Sequence, residues 1–177
     1  MKRLERVAPQ SARLAQAKGL SAEYDEDYEK AEEFYREALQ RSPETAGLHF
    51  SLGHVLRQQG KDEEAAAELE RDVQNHLALF ERALIRVKSG EFRAAIPLLE
   101  GTLRLSPQFS DAKTELAKCY LQTDQSAKAV PLLESVIARR QDHPTAHFLL
   151  SRAYRALDQP ALAQRELDIH RKLIQRK

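Results

Sequence analysis

Alanines with a common neighbourhood stand at Ala31, Ala65, Ala95, Ala129 and Ala163, in steps of 34, 30, 34 and 34 residues. Four residues after each comes a large side chain, namely Tyr35, Leu69, Leu99, Leu133 and Leu167, and twelve before each a small one, namely Gly19, Gly53, Ala83, Ala117 and Ser151. Three columns that keep step through five periods define a repeat array, which restricts the fold more than any bulk property can. A small residue on the first helix of a repeat and an alanine on the second let the two backbones approach closely. The large residue then fills the space beside the crossing. Neither helix can bury its apolar stripe alone, so repeats must stack and the core becomes a ribbon.

Leu52-Gly53 with Ala65 and Leu69, Gly19 with Ala31, Tyr35, Ala38 and Pro43, and Leu150-Ser151 with Tyr154, Ala163 and Leu167 carry a further likeness. They resemble the leucine-glycine pair, later alanine, bulky residue and closing proline of the tetratricopeptide repeat (TPR) family, in an array of the bacterial type. The resemblance covers nearly the whole chain. It implies an all-α fold, a right-handed TPR-like α-solenoid of helix–turn–helix repeats spanning residues 1–177 as one domain. The repeats are expected at 12–45, 46–75, 76–109, 110–143 and 144–177. Pro9 lies 34 residues before Pro43, in the slot that closes a repeat, so residues 1–11 read as the tail of an upstream repeat. The chain then reads as part of a longer array, the alternative being a native N-terminal tail.

In this register, helices are expected near 12–22, with Ser11 as N-cap, and 28–41 after the acidic turn Tyr24-Asp25-Glu26-Asp27. Further pairs fall near 44–59 and 62–74, 76–89 and 92–105, 110–122 and 126–139, 145–157 and 160–175. The 30-residue step removes close to one helical turn, which predicts a second helix shortened by about a turn. The third repeat is irregular. Arg82 and Arg86 occupy slots that the family fills with core residues, while Leu77, Phe80, Leu84 and Val87 form a stripe on another face. Either that helix has turned about its axis to bury the stripe, or it presents the stripe to the inner groove. Pro97 and Pro131 sit early in second helices, and Pro160 fits a first helical position.

The 28 basic and 27 acidic residues leave a net charge of +1, which argues against nucleic acid as a partner. No apolar run approaches a membrane span, and the basic start lacks a signal-peptide core, so no membrane partner is expected. Cys119 is alone and reads as an inert buried thiol. No phosphate loop, nucleophile elbow or zinc-ligand cluster occurs, so no cofactor, no metal and no catalytic residue is expected, and the chain reads as a non-enzyme. His49 and His147 share one repeat slot and read as packing residues. His143 and His147 are separated by Pro144, which argues against a two-histidine metal site. The acidic pairs Glu32-Glu33 and Glu63-Glu64 read as solvated surface.

The family's carboxylate clamp would begin at Gln16 and Leu20, Phe50 and His54, or Phe80 and Leu84, none of which supplies its lysine–asparagine pair. Chaperone-tail binding is therefore not implied. What the resemblance does imply is a concave groove lined by first helices. Its partner-binding residues are expected to be Phe50, His54, Arg57, Phe80, Leu84, Val87, Lys88, Lys118, Phe148, Arg152 and Arg155, a phenylalanine floor with a basic rim. The expected function is a protein-interaction scaffold holding a peptide or helix with apolar anchors and acidic residues. The alternative is self-association through the end repeats, where Leu4 and Val7, and Leu173 and Ile174, lack a covering helix. Nothing in the sequence addresses a compartment, and a cytoplasmic setting is the favoured expectation.

Overall fold

A computed structural model of the chain describes residues 2–72 and 74–175, with side chains from residue 12 onward. The described elements are helices α1 (Lys2–Tyr24), α2 (Tyr28–Arg41), α3 (Leu48–Gln58), α4 (Asp62–Leu69), α5 (His76–Lys88), α6 (Phe92–Leu105), α7 (Ser110–Gln122), α8 (Ser126–Arg139), α9 (Pro144–Ala156) and α10 (Pro160–Gln175). Among the described residues there is no strand. Two compact units are formed, one ending at Ile85 and the other beginning at Arg86.

In the first unit, the sequence columns meet as close contacts. A Cβ placed on Gly19 would lie 2.7 Å from the Tyr35 ring, and one on Gly53 would lie 2.6 Å from Leu69 Cγ and 3.2 Å from the Ala65 carbonyl. Only a hydrogen fits there, which is why glycine occupies both positions. Ala31, Ala65, Tyr35 and Leu69 are fully buried, and the core continues through Ala38, Leu48, Leu52, Val55 and Leu56. The second unit repeats the scheme, with Ala95, Leu99, Ala117, Ala129, Leu133, Ala146 and Ala153 fully buried.

The turn within each repeat is also periodic. Glu26, Gly60, Gly90, Asp124 and Asp158 all take a left-handed backbone, with φ between 55 and 79°. After each, the next N–H reaches back to the helix that has just ended: Asp27 to Ala22, Lys61 to Leu56, Glu91 to Arg86, Gln125 to Tyr120 and Gln159 to Tyr154, all at 2.8–2.9 Å. This Schellman closure satisfies carbonyls that a helix end otherwise leaves orphaned. Asp27 adds an N-cap to α2, its side chain accepting from the Lys30 N–H at 3.2 Å.

Three expectations are corrected, and one of two open alternatives is set aside. α1 runs unbroken from Lys2 to Tyr24, so position 11 lies inside a helix and not at the start of one. α3 begins at Leu48, because Pro43 and Glu44 form a turn and Gly47 has a φ of 80°. α4 has 8 residues where α2, α6 and α8 have 14, a shortening of more than one turn. Nor has α5 turned about its axis. Ala78, Ala83 and Ile85 are buried in the slots that Leu48, Gly53 and Val55 fill in α3, while the stripe Leu77, Phe80, Leu84 and Val87 is only half-buried. Arg82 and Arg86 swing outward to Glu70 (2.7 Å) and Glu91 (2.8 Å).

Candidate interaction surface

The expected groove residues are carried by first helices: Phe50, His54 and Arg57 on α3, Phe80, Leu84, Val87 and Lys88 on α5, Lys118 on α7, and Phe148, Arg152 and Arg155 on α9. Recurrence at one helical slot puts Phe50, His54 and Arg57 on one face, as i, i+4 and i+7 positions must be. In the first unit that face is already engaged. Phe50 is half-buried against the core, its ring centroid 6.1 Å from that of His54. The His54 Nδ1 pairs with Glu81 Oε1 at 3.0 Å, and Arg57 Nε donates to Glu81 Oε2. On the other side, His54 Nε2 lies 3.8 Å from Glu23, whose second oxygen accepts from the Tyr35 hydroxyl at 2.6 Å.

Glu81 is 7 % exposed and was not anticipated as part of the surface. Burial pushes its carboxyl up, but His54 and Arg57 outweigh burial and hold it below the usual carboxylate range. Reciprocally, the hydrogen bond to Glu81 raises the His54 imidazole above the usual histidine value against the opposing effect of burial. The missed signal was the stripe Ala78, Glu81, Ile85: a glutamate at helical spacing inside an apolar face calls for a cationic partner. Leu84 and Val87 are half-buried, and so is Phe80, while Lys88 is exposed.

In the second unit the equivalent face is open. Phe148 is 40 % exposed and tilts against the His170 ring at 5.2 Å. Arg152 and Arg155 are exposed, and their side chains make no hydrogen bond or ion pair with a described residue. Lys118 is half-buried and bonded to Glu115 at 3.2 Å.

His49 and His147 do more than fill space. Their Nδ1 atoms pair with Glu68 at 2.7 Å and Glu166 at 2.6 Å, each glutamate 19 residues on, tying first helix to second in α3–α4 and α9–α10. A cleft of about 630 Å³ in the second unit is lined by Glu134, Ile137, His147, Tyr154, Leu162 and Glu166. Four of its polar groups pair with one another, as Tyr154–Glu134 (2.8 Å) and His147–Glu166, and Arg165 also lines it. Glu32, expected as solvated surface, is instead half-buried. Burial would raise its carboxyl, but Lys61, Arg36 and Gln59 hold it down at about 2. Cys119 is fully buried, and burial with neighbouring Glu115 pushes its thiol up to about 11. Among the described residues no group of three His, Cys, Asp or Glu is placed to hold a metal ion, and no helix is long and apolar enough to cross a membrane.

Paired helices, periodic left-handed turns and close small-to-large columns define an α-helical repeat protein. Tetratricopeptide repeat models match residues 17–75 and 121–167, and a second such model matches 86–133, so the chain belongs to the tetratricopeptide repeat family. It is an all-α TPR-like solenoid and a protein-interaction scaffold of that family. Among solved structures, that of MamA protein shares 19% identity, covering 95% of this chain and 94% of that one at a TM-score of 0.81. MamA residues 41-end from Desulfovibrio magneticus RS-1 gives 15% identity, 94% and 97% coverage and 0.84. YrrB, described as a TPR protein with an unusual peptide-binding site, gives 18% identity, 88% and 82% coverage and 0.76. No curated protein sequence matches.

Proposed function

We propose that the chain holds an acidic, apolar-anchored segment of a partner protein, peptide or helix, against the first-helix face that carries Phe148, Arg152 and Arg155, with Lys118 nearby in chain order on α7. The observation that carries this reading is the openness of that face: a phenylalanine 40 % exposed, with two exposed arginines at +4 and +7. An aromatic anchor supplies rigid contact area, and guanidinium groups pair with carboxylates while their stems cover apolar surface. The likeness to YrrB, whose structure is described as having a peptide-binding site, supports a peptide-sized ligand. Phe50, Phe80, Leu84, Val87 and Lys88 are proposed as contacts on α3 and α5 in their own right, where His54 and Arg57 already pair with Glu81.

The test takes a partner captured with the full chain and measures its affinity for the Phe148→Ala variant. A loss of about 2 kcal/mol in binding with unchanged thermal stability is expected of an anchor. Unchanged binding accompanied by a large stability loss would overturn the reading.

A second reading, self-association, is favoured by α10, where Leu162 is 40 % and Ile174 is 51 % exposed while Leu173 is half-buried. The side chains of Leu4 and Val7, the other half of the expected surface, lie outside the described residues. Light scattering over a concentration series distinguishes this reading, which predicts a mass that rises with concentration and falls with Ile174→Glu.

A further inference from the structure

Resting on the reading of the α9 face as a docking surface, we propose that Arg152 and Arg155 jointly take one carboxylate of a partner helix, as His54 and Arg57 take that of Glu81. The two helices present the same slots in the same order. Phe50 matches Phe148, Gly53 matches Ser151, His54 matches Arg152 and Arg57 matches Arg155. The match is three-dimensional as well, since His49 and His147 bond to glutamates at the same sequence distance on α4 and α10.

In the first unit the acceptor comes from α5. Both Glu81 oxygens are used, one on His54 and one on Arg57, and the carboxylate is delivered by a helix whose neighbouring positions Ala78 and Ile85 are buried. That helix is a template for the partner: a glutamate with a small residue three before it and an aliphatic one four after.

On α9 the same two slots hold arginines with no described partner, and no aspartate or glutamate occurs anywhere between Pro144 and Leu157. Two guanidinium groups present more donors than the histidine–arginine pair does and bind a carboxylate in a fork. The same pair of slots is thus self-occupied on α3 and open on α9. The electrostatic anchor for a partner is therefore α9, not α3.

The probe is a capped, alanine-based helical peptide carrying that alanine–glutamate–isoleucine spacing, with a Glu→Gln counterpart. It is titrated into the full chain while the arginine Nε–Hε resonances are followed. The glutamate peptide is expected to shift Arg152 and Arg155 but not Arg57, and to bind at least about tenfold more tightly than the glutamine peptide, as a charge-assisted hydrogen bond requires. Arg152→Gln with Arg155→Gln should remove that difference without altering the melting temperature. Equal binding of both peptides, abolished by Phe148→Ala, would overturn the carboxylate assignment and leave the docking surface standing. Shifts at Arg57, or the same shifts from acetate alone at the peptide concentration, would overturn the assignment too. So would the absence of binding by either peptide, the anchor role of Phe148 then being decided by the captured partner. Dimerisation of the chain that is lost in the double variant would make a second copy the occupant, against the proposal.

Discussion

Left-handed backbone is comfortable for glycine and strained for any residue with a Cβ, yet three of the five periodic turns place Glu26, Asp124 and Asp158 there. All three side chains are exposed. Glu26→Gly should therefore stabilise the protein by about 0.5–1 kcal/mol, seen as a higher urea midpoint at unchanged slope. The reverse change, Gly60→Ala, should destabilise by a similar amount. At Gly53 the limit is space, not φ. Gly53→Ala puts a methyl group onto Leu69 and the Ala65 carbonyl, for an expected loss of about 1–3 kcal/mol by denaturant unfolding. Ala129→Leu, in a fully buried slot, belongs to the same range, and a neutral result at both positions would contradict the register.

At the scale of elements, the joint between α3 and α5 ties stability to pH. His54 is raised in the folded state, so its contribution is fully present below the ordinary histidine value of 6.5 and is lost as pH rises through the higher folded value. Glu81 is lowered, so its contribution is present above 4.5 and is lost as pH falls through the depressed folded value. Stability from this joint should peak between those limits and decline toward alkaline pH. His54→Gln should flatten the decline in a series of urea midpoints, and Glu81→Gln, which strands Arg57, should cost about 1–3 kcal/mol at pH 6. The columns, the turns and most helix spans were legible in the sequence because each follows from spacing. Glu81 was not, because periodicity marks which face is buried but not which charge crosses to it from another helix. The length of α4 was hidden for a related reason: a gap in the repeat says how many residues are missing, not where the remaining ones unwind. The start of α3 was obscured by helix-forming letters around Gly47, whose backbone decides the boundary.

Over the whole molecule, stability should be distributed by neighbourhood and not held in one centre. Far-ultraviolet circular dichroism should report a predominantly helical chain. Amide exchange in Ala129→Leu should accelerate most in α7, α8 and α9 and least in α1 and α2. The near balance of charge has a further effect, since global attraction is weak and any pull on an acidic partner must come from local arginines. Raising salt should therefore weaken such a partner modestly, by screening a few pairs. Much of this architecture was readable in advance because a repeat states its contacts five times over. The open state of Arg152 and Arg155 was not, since the same slots are engaged on α3.

The lone thiol of Cys119 adds a practical property to the molecule. It is fully buried in α7, with its ionisation held at about 11, so an alkylating reagent at neutral pH meets neither access nor thiolate. Labelling can proceed only when the surrounding helices part, and with one cysteine in the sequence every adduct reports that one event. The natural chain is thus its own stopwatch for opening of the second unit, with no engineered probe. Mass spectrometry of adduct formation should show a rate set by the protein and independent of excess reagent when reclosing is slow, and faster in Ala129→Leu.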